Sequence, residues 1–123
     1  MDRRISDAEL QVMEVLWAAT GPLTATEVAV RIGQTREWSL ATVKTMLSRL
    51  AAKGALSHRE EGRRYFYSPA IERDSYIGSE SRRFVDKLFG GRLSPLVARL
   101  AEEDSLDEED IAAIEAILKE LKS

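Results

Sequence analysis

Trp38-Ser39-Leu40-Ala41-Thr42-Val43-Lys44-Thr45-Met46-Leu47-Ser48-Arg49-Leu50-Ala51-Ala52-Lys53-Gly54 is the stretch on which the fold turns. Ser39 is placed to cap a helix and Gly54 to end it, which predicts a helix running to Lys53. At 100° per residue, Val43, Met46, Leu47 and Leu50 fall on one side, the face for a core. The opposite side carries Ala41, Thr45, Ser48 and Ala52, flanked by Lys44 and Arg49. That face is small and hydroxyl-rich, with cations at its edges. A helix so built can sink into the major groove of duplex DNA, where bulky side chains would hold it off the base edges. Thr45 and Ser48 are placed to donate to bases or phosphates, and Lys44 and Arg49 to reach phosphate or guanine. Ser39 and Thr42 lie at the helix N-terminus, whose free N–H groups favour phosphate. An ordinary amphipathic surface helix is the competing reading, but such a helix more often carries Glu and Lys where this one carries Thr and Ser.

Upstream, two capping boxes announce two more helices. In Ser6-Asp7-Ala8-Glu9 the serine accepts from a free backbone N–H and the glutamate reaches back to the cap residue. Leu10, Met13, Leu16 and Trp17 then recur at helical spacing until Gly21-Pro22. Thr24-Ala25-Thr26-Glu27 repeats the box and opens a short helix with Val28 and Ile32 inward, stopped by Gly33. Downstream the period changes. Leu56 to Glu60 and Arg64 to Ser68, with Glu61-Gly62 between them, read as an antiparallel hairpin. Arg63 and Arg64 at its tip are placed for the DNA backbone or minor groove, although a plain solvated hairpin accounts for them almost as well. His58 reads as structural, and Tyr65-Phe66-Tyr67 as sheet packing rather than a base-stacking platform. Three helices and a hairpin in this order predict a mainly α fold, a winged helix-turn-helix domain over residues 1–70.

Residues 71–123 read as a helical dimerisation region. It comprises a helix from about Asp74 to Phe89, the pair Gly90-Gly91, and a helix with Ser94 as cap and Pro95 in first position. A last helix follows from Asp107. Ile111, Ile114, Leu118 and Leu121 form its apolar stripe. Tyr76, Ile77, Phe84, Leu88, Leu96 and Leu100 join them as candidate dimer contacts, with packing inside one chain as the alternative.

The whole chain has 123 residues, a net charge of -3, 44% hydrophobic residues and no cysteine. The net acidity alone argues against a nucleic-acid partner, but the distribution does not. Residues 1–69 carry 10 Lys+Arg against 8 Asp+Glu, whereas residues 70–123 carry 8 against 13. Seven basic residues stand between Arg36 and Arg64 against three acidic ones. A basic stretch beside an acidic tail is the asymmetry of a protein with one phosphate-facing side.

No apolar run approaches the roughly 20 residues of a membrane span. Met1-Asp2-Arg3-Arg4-Ile5-Ser6-Asp7 lacks the apolar segment of a secretory signal, and the absence of cysteine fits a reducing compartment, so a cytoplasmic location is expected. One histidine and no cysteine leave no nucleophilic pair and no zinc-ligand spacing. Phosphate-binding glycine motifs are lacking. The acidic run Glu102 to Asp110 lacks the spacing of a calcium loop. No enzyme, cofactor or metal site is expected.

The sequence resembles the BlaI/MecI-type penicillinase repressors, which include copper-responsive relatives. The strongest matching stretch is Trp38 to Leu50, followed by Lys53-Gly54-Ala55-Leu56 and Gly62-Arg63-Arg64-Tyr65-Phe66-Tyr67-Ser68-Pro69. Ile5 to Glu9, Leu16-Trp17, Thr24 to Val28, Phe84, Phe89-Gly90-Gly91 and Leu106 to Ile111 also match. The resemblance implies a homodimer joined through its C-terminal helices, each winged helix docking on half of a palindromic operator. It implies repression of β-lactamase or penicillin-binding-protein genes. Release would come when a membrane-bound penicillin-sensing metalloprotease causes cleavage in the dimerisation region. The family's Asn-Phe scissile bond would fall near Arg99-Leu100, where this sequence has neither residue. The cysteine motifs of the copper-responsive branch are missing. Two further readings share the winged helix: a regulator switched by a small ligand, and a protein-interaction module with the acidic tail as docking surface.

Overall fold

The computed structural model describes residues 4–33 and 36–123, and the chain divides into two compact units, Met1–Tyr76 and Ile77–Ser123. The readings of Met1, Asp2 and Arg3 concern residues outside those described. In the first unit α1 (Asp7–Ala18), α2 (Ala25–Ile32) and α3 (Leu40–Ala52) precede a hairpin of β1 (Leu56–Glu61) and β2 (Arg64–Pro69). Helix α4 (Arg73–Phe89) begins in the first unit, and α5 (Ser94–Glu102) and α6 (Glu108–Lys122) lie in the second.

The two predicted capping boxes form. Ser6 Oγ accepts from the Glu9 N–H at 3.2 Å while Glu9 Oε1 accepts from the Ser6 N–H at 2.8 Å. Thr24 and Glu27 make the same reciprocal pair at 3.2 and 2.9 Å. Each box satisfies donors that a helix start would leave without partners. Helix α3 ends at Ala52, one residue before the expected Lys53, which is its cap; Gly54 follows with a φ of +79°, in the left-handed region that glycine enters without a Cβ clash.

The core is closed by Val12, Met13 and Leu16 of α1, Val28 and Ile32 of α2, and Val43, Leu47 and Leu50 of α3, together with Leu23, Ala55 and Leu56. Met46 packs against this cluster half-buried. On α1 the inward line differs from the expected one. It runs through Glu9, Val12, Met13 and Leu16, while Leu10 and Trp17 are half-buried. Trp17 is drawn aside because its indole N–H donates to the Ile71 carbonyl at 3.0 Å and its ring lies 5.9 Å from that of Tyr76. Tyr76, grouped from sequence with the dimer contacts, is thus engaged inside the first unit.

The buried Glu9 is 1% exposed. A carboxylate in such a place needs a cation, and Lys53, 44 positions away, supplies it: its Nζ donates to Glu9 Oε1 at 2.5 Å and to the Arg4 carbonyl at 2.8 Å. This pair ties the end of α3 to the start of α1.

The strands pair antiparallel from Leu56 with Pro69 to Glu61 with Arg64, so the turn is Gly62-Arg63, not Glu61-Gly62. Gly62, at φ +66°, occupies the first turn position, where a two-residue loop calls for glycine. A third pairing was not foreseen: Leu23 and Tyr67 exchange backbone hydrogen bonds of 3.0 and 2.8 Å. They fasten the α1–α2 connection to the hairpin.

In the second unit, Asp107 caps α6 in a box with Asp110. Helix α5 begins at Ser94, one residue earlier than expected. Leu93 precedes it as cap residue and no side chain caps it, so Ser94 lies inside the helix. No residue from Ile77 to Ser123 is buried. Ile77, Phe84, Leu88, Ile111, Leu118 and Leu121 are exposed, while Leu96, Leu100 and Ile114 are half-buried. Arg99 and Leu100 lie within α5. Among the described residues no helix is long and apolar enough to cross a membrane.

Candidate nucleic-acid interface

Burying Val43, Leu47 and Leu50 turns the other side of α3 outward. Ala41, Lys44, Thr45, Ser48, Arg49 and Ala52 are all exposed. The hydroxyls along this helix are not equivalent. Ser39 Oγ accepts from the Thr42 N–H at 3.1 Å and lies 3.0 Å from the Thr42 hydroxyl, so both serve the helix start. Thr45 Oγ1 donates to the Ala41 carbonyl at 3.0 Å, the back-bond that threonine makes within a helix. Thr45 therefore presents a methyl group and an acceptor oxygen outward, not the donor expected from sequence. The Ser48 hydroxyl has no hydrogen-bond partner among the described residues and keeps a free donor.

The cations sort themselves in the same way. Of the seven basic residues between Arg36 and Arg64, three are engaged. Lys53 holds Glu9; Arg59 pairs with Glu61 at 3.1 Å and lies 5.3 Å over the Phe66 ring; Arg36 lies 5.8 Å over Trp38. Among the described residues Lys44, Arg49, Arg63 and Arg64 make no ion pair. Those four are the cations singled out from sequence.

Three of them are brought to one place. Lys44, Arg63 and Arg64 line a 560 Å³ cleft with Thr24-Ala25-Thr26-Glu27 and Tyr65-Phe66-Tyr67. The α3 face and the hairpin tip therefore share a side of the molecule. The start of α2 in this cleft was missed in the sequence. Its capping box marks a helix start but not what the start will face. Glu27 is held below the ordinary carboxylate range, first by the Thr24 backbone N–H, then by the Thr24 hydroxyl, and more weakly by the charges of Arg31 and Arg64. Ser48 lines a second cleft of 350 Å³ with Leu47, Ala51, His58, Tyr65 and Tyr67. There His58 meets the edge of Tyr65 at 5.3 Å and lies 5.9 Å from Tyr67. Burial raises the Tyr67 phenol above its ordinary value. No group of three or more metal-binding side chains occurs among the described residues.

Comparison with known proteins places this arrangement. A profile of the penicillinase repressors matches residues 5–120. The penicillinase repressor of Bacillus licheniformis is 40% identical over 120 residues, which cover 98% of this chain and 93% of that protein. The solution structure of the DNA-binding domain of the repressor BlaI aligns with a TM-score of 0.55 at 45% identity, covering 61% of this chain and 90% of that one. The Bacillus licheniformis BlaI monomer, solved in complex with the blaP half-operator, aligns with a TM-score of 0.52 at 46% identity, covering 60% and 89%. The chain belongs to the penicillinase repressor family, winged-helix DNA-binding transcriptional repressors and not enzymes.

Proposed function

We propose that this repressor binds a palindromic operator as a homodimer, with one winged helix on each half-site. Helix α3 enters the major groove, where Ala41 allows close approach, Ser48 donates to a base edge and the Thr45 methyl meets apolar base surface. Lys44, Arg49, Arg63 and Arg64 take phosphates, and Ser39 and Thr42 hold the start of α3 against the backbone. The observation that carries this reading is that Lys44, Arg49, Arg63 and Arg64, which flank the outward face of α3 and the hairpin tip, make no ion pair among the described residues. A carboxylate that neutralised them would make the same surface poor for DNA.

Dimerisation through the second unit rests on its burial pattern. A helical unit that fully buries no side chain gains little stability from the hydrophobic effect by itself. Its exposed Ile77, Phe84, Leu88, Ile111, Leu118 and Leu121, with Leu96, Leu100 and Ile114, suit a second copy. Linking two weak half-site readers makes the second docking intramolecular, and a twofold protein suits a twofold site. Anything that separates the two copies then releases the operator. Cleavage in α5 at or near Arg99-Leu100, prompted by a membrane-bound sensor metalloprotease, is such an event. The regulated genes are those of penicillinase or related β-lactam resistance.

The test is a mobility shift on the palindromic DNA upstream of the chain's own gene, against a scrambled duplex. Preferential binding to the palindrome is expected, and Thr45→Ala or Ser48→Ala should change which sequences are preferred. Equal binding to palindrome and scramble would refute operator recognition.

A further inference from the structure

The 560 Å³ cleft that gathers Lys44, Arg63 and Arg64 contains one carboxylate among its lining residues, Glu27. Its position is fixed from both sides of the capping box: Oε1 accepts from the Thr24 N–H at 2.9 Å, and its own N–H donates to Thr24 Oγ1 at 3.2 Å. The side chain is exposed, so its charge faces whatever enters. It makes no ion pair within 4 Å with the three cations, yet Arg64 is near enough to act on its ionisation. The Glu27 carboxylate, bonded to the N–H of the cap residue Thr24, sets a fixed anion at the start of α2, where a helix could otherwise attract a phosphate. A glutamine would serve the box as well, so the negative charge is not needed to start the helix.

We propose that Glu27 sets the strength of this cleft for DNA phosphate: it competes with the incoming phosphate for Arg64 and weakens the protein's hold on DNA of any sequence. The proposal rests on the reading of Lys44, Arg63 and Arg64 as phosphate contacts. The physical logic is that of like charges brought together near a surface. A fixed carboxylate raises the electrostatic cost of a phosphate entering the same cleft, and it offers Arg64 an alternative partner. Because phosphate carries no sequence information, the effect falls equally on operator and on unrelated DNA. The consequence is a repressor whose total affinity is held down while its base contacts keep the choice of site.

The experiment compares the full-length protein with Glu27→Gln by fluorescence anisotropy on operator and scrambled duplexes at about 0.1 M salt, where screening acts over about 10 Å. Glu27→Gln should bind both duplexes about three- to tenfold more tightly, by a similar factor, and the gain should shrink as salt rises. In an Arg64→Ala background the gain should fall by at least half. Glu27→Ala, which keeps the Thr24 cap, should move in the same direction and covers the case in which the glutamine variant folds poorly. Unchanged or weaker binding by both variants overturns the proposal. So does a gain that is the same with and without Arg64, or one confined to the operator. If the unmodified protein shows no salt-sensitive DNA binding, the phosphate-contact reading fails first and this proposal with it. If it binds and the Glu27 variants bind no better, this proposal alone fails.

Discussion

Replacing Arg63 and Arg64 with alanine removes two of the four cations assigned to phosphate, and it leaves the core untouched because both are exposed. If Lys44, Arg49, Arg63 and Arg64 each neutralise one phosphate, the logarithm of the binding constant for a single half-site falls with the logarithm of salt at a slope of about -3.6. A dimer on the full operator doubles this to about -7, which costs about four orders of magnitude between 50 and 200 mM salt. The double variant should show about half the slope on a half-site, near -1.8, which is a loss of about 60-fold at 0.1 M salt that disappears towards 1 M. Fluorescence anisotropy against a salt series on operator, half-operator and scrambled duplexes reads all of these. The loss should be the same on every sequence, since phosphates are common to all. A slope unchanged in the variant, or a loss that does not depend on salt, would refute the assignment of these arginines to the backbone. Arg59→Ala makes a useful contrast, because Arg59 is already held by Glu61 and Phe66. It should change the slope by much less than either hairpin-tip arginine.

Other outcomes follow from the packing. Leu50→Ala opens the core between α3 and its neighbours and should destabilise the winged helix by about 2–5 kcal/mol in urea unfolding. Burial pushes the Glu9 carboxyl up, but hydrogen bonds from Lys53 and from Ser6 outweigh it and hold it below its ordinary value of 4.5. A depressed carboxyl contributes stability above its unfolded pKa and loses it as pH falls through the folded one. Thermal stability should therefore drop on acidification below about pH 4.5, and the drop should be smaller in Glu9→Gln. Lys53→Met, which leaves the carboxylate buried without its cation, should lower stability at pH 7. Leu118→Glu with Leu121→Glu should convert a dimer of twice 13.8 kDa to a monomer in sedimentation. It should weaken full-operator binding far more than half-operator binding, and an unmodified protein that sediments as a monomer at micromolar concentration would refute the dimer.

What the sequence determined by itself is what depends on residues within about four positions of one another. The boxes at Ser6/Glu9 and Thr24/Glu27, the stripe Val43-Leu47-Leu50 and the glycine of the hairpin each declare an element through local hydrogen bonding, period or backbone freedom. That was enough for the winged helix and for the outward side of α3. The likeness running from Ile5 to Ile111 was visible there too. The tertiary structure decided which groups remain available. Glu9 reads as a surface cap until Lys53, 44 positions away, is found closing over it. Arg59 and Arg63 look alike in the chain, yet Arg59 lies against Glu61 and Phe66 and Arg63 does not. Thr45 and Ser48 look alike, yet the Thr45 hydroxyl turns back to Ala41. The cleft that sets Glu27 beside Lys44, Arg63 and Arg64 joins residues up to 43 positions apart. Local signals fix the direction of the backbone, whereas charge pairing depends on distances across space that no spacing along the chain encodes.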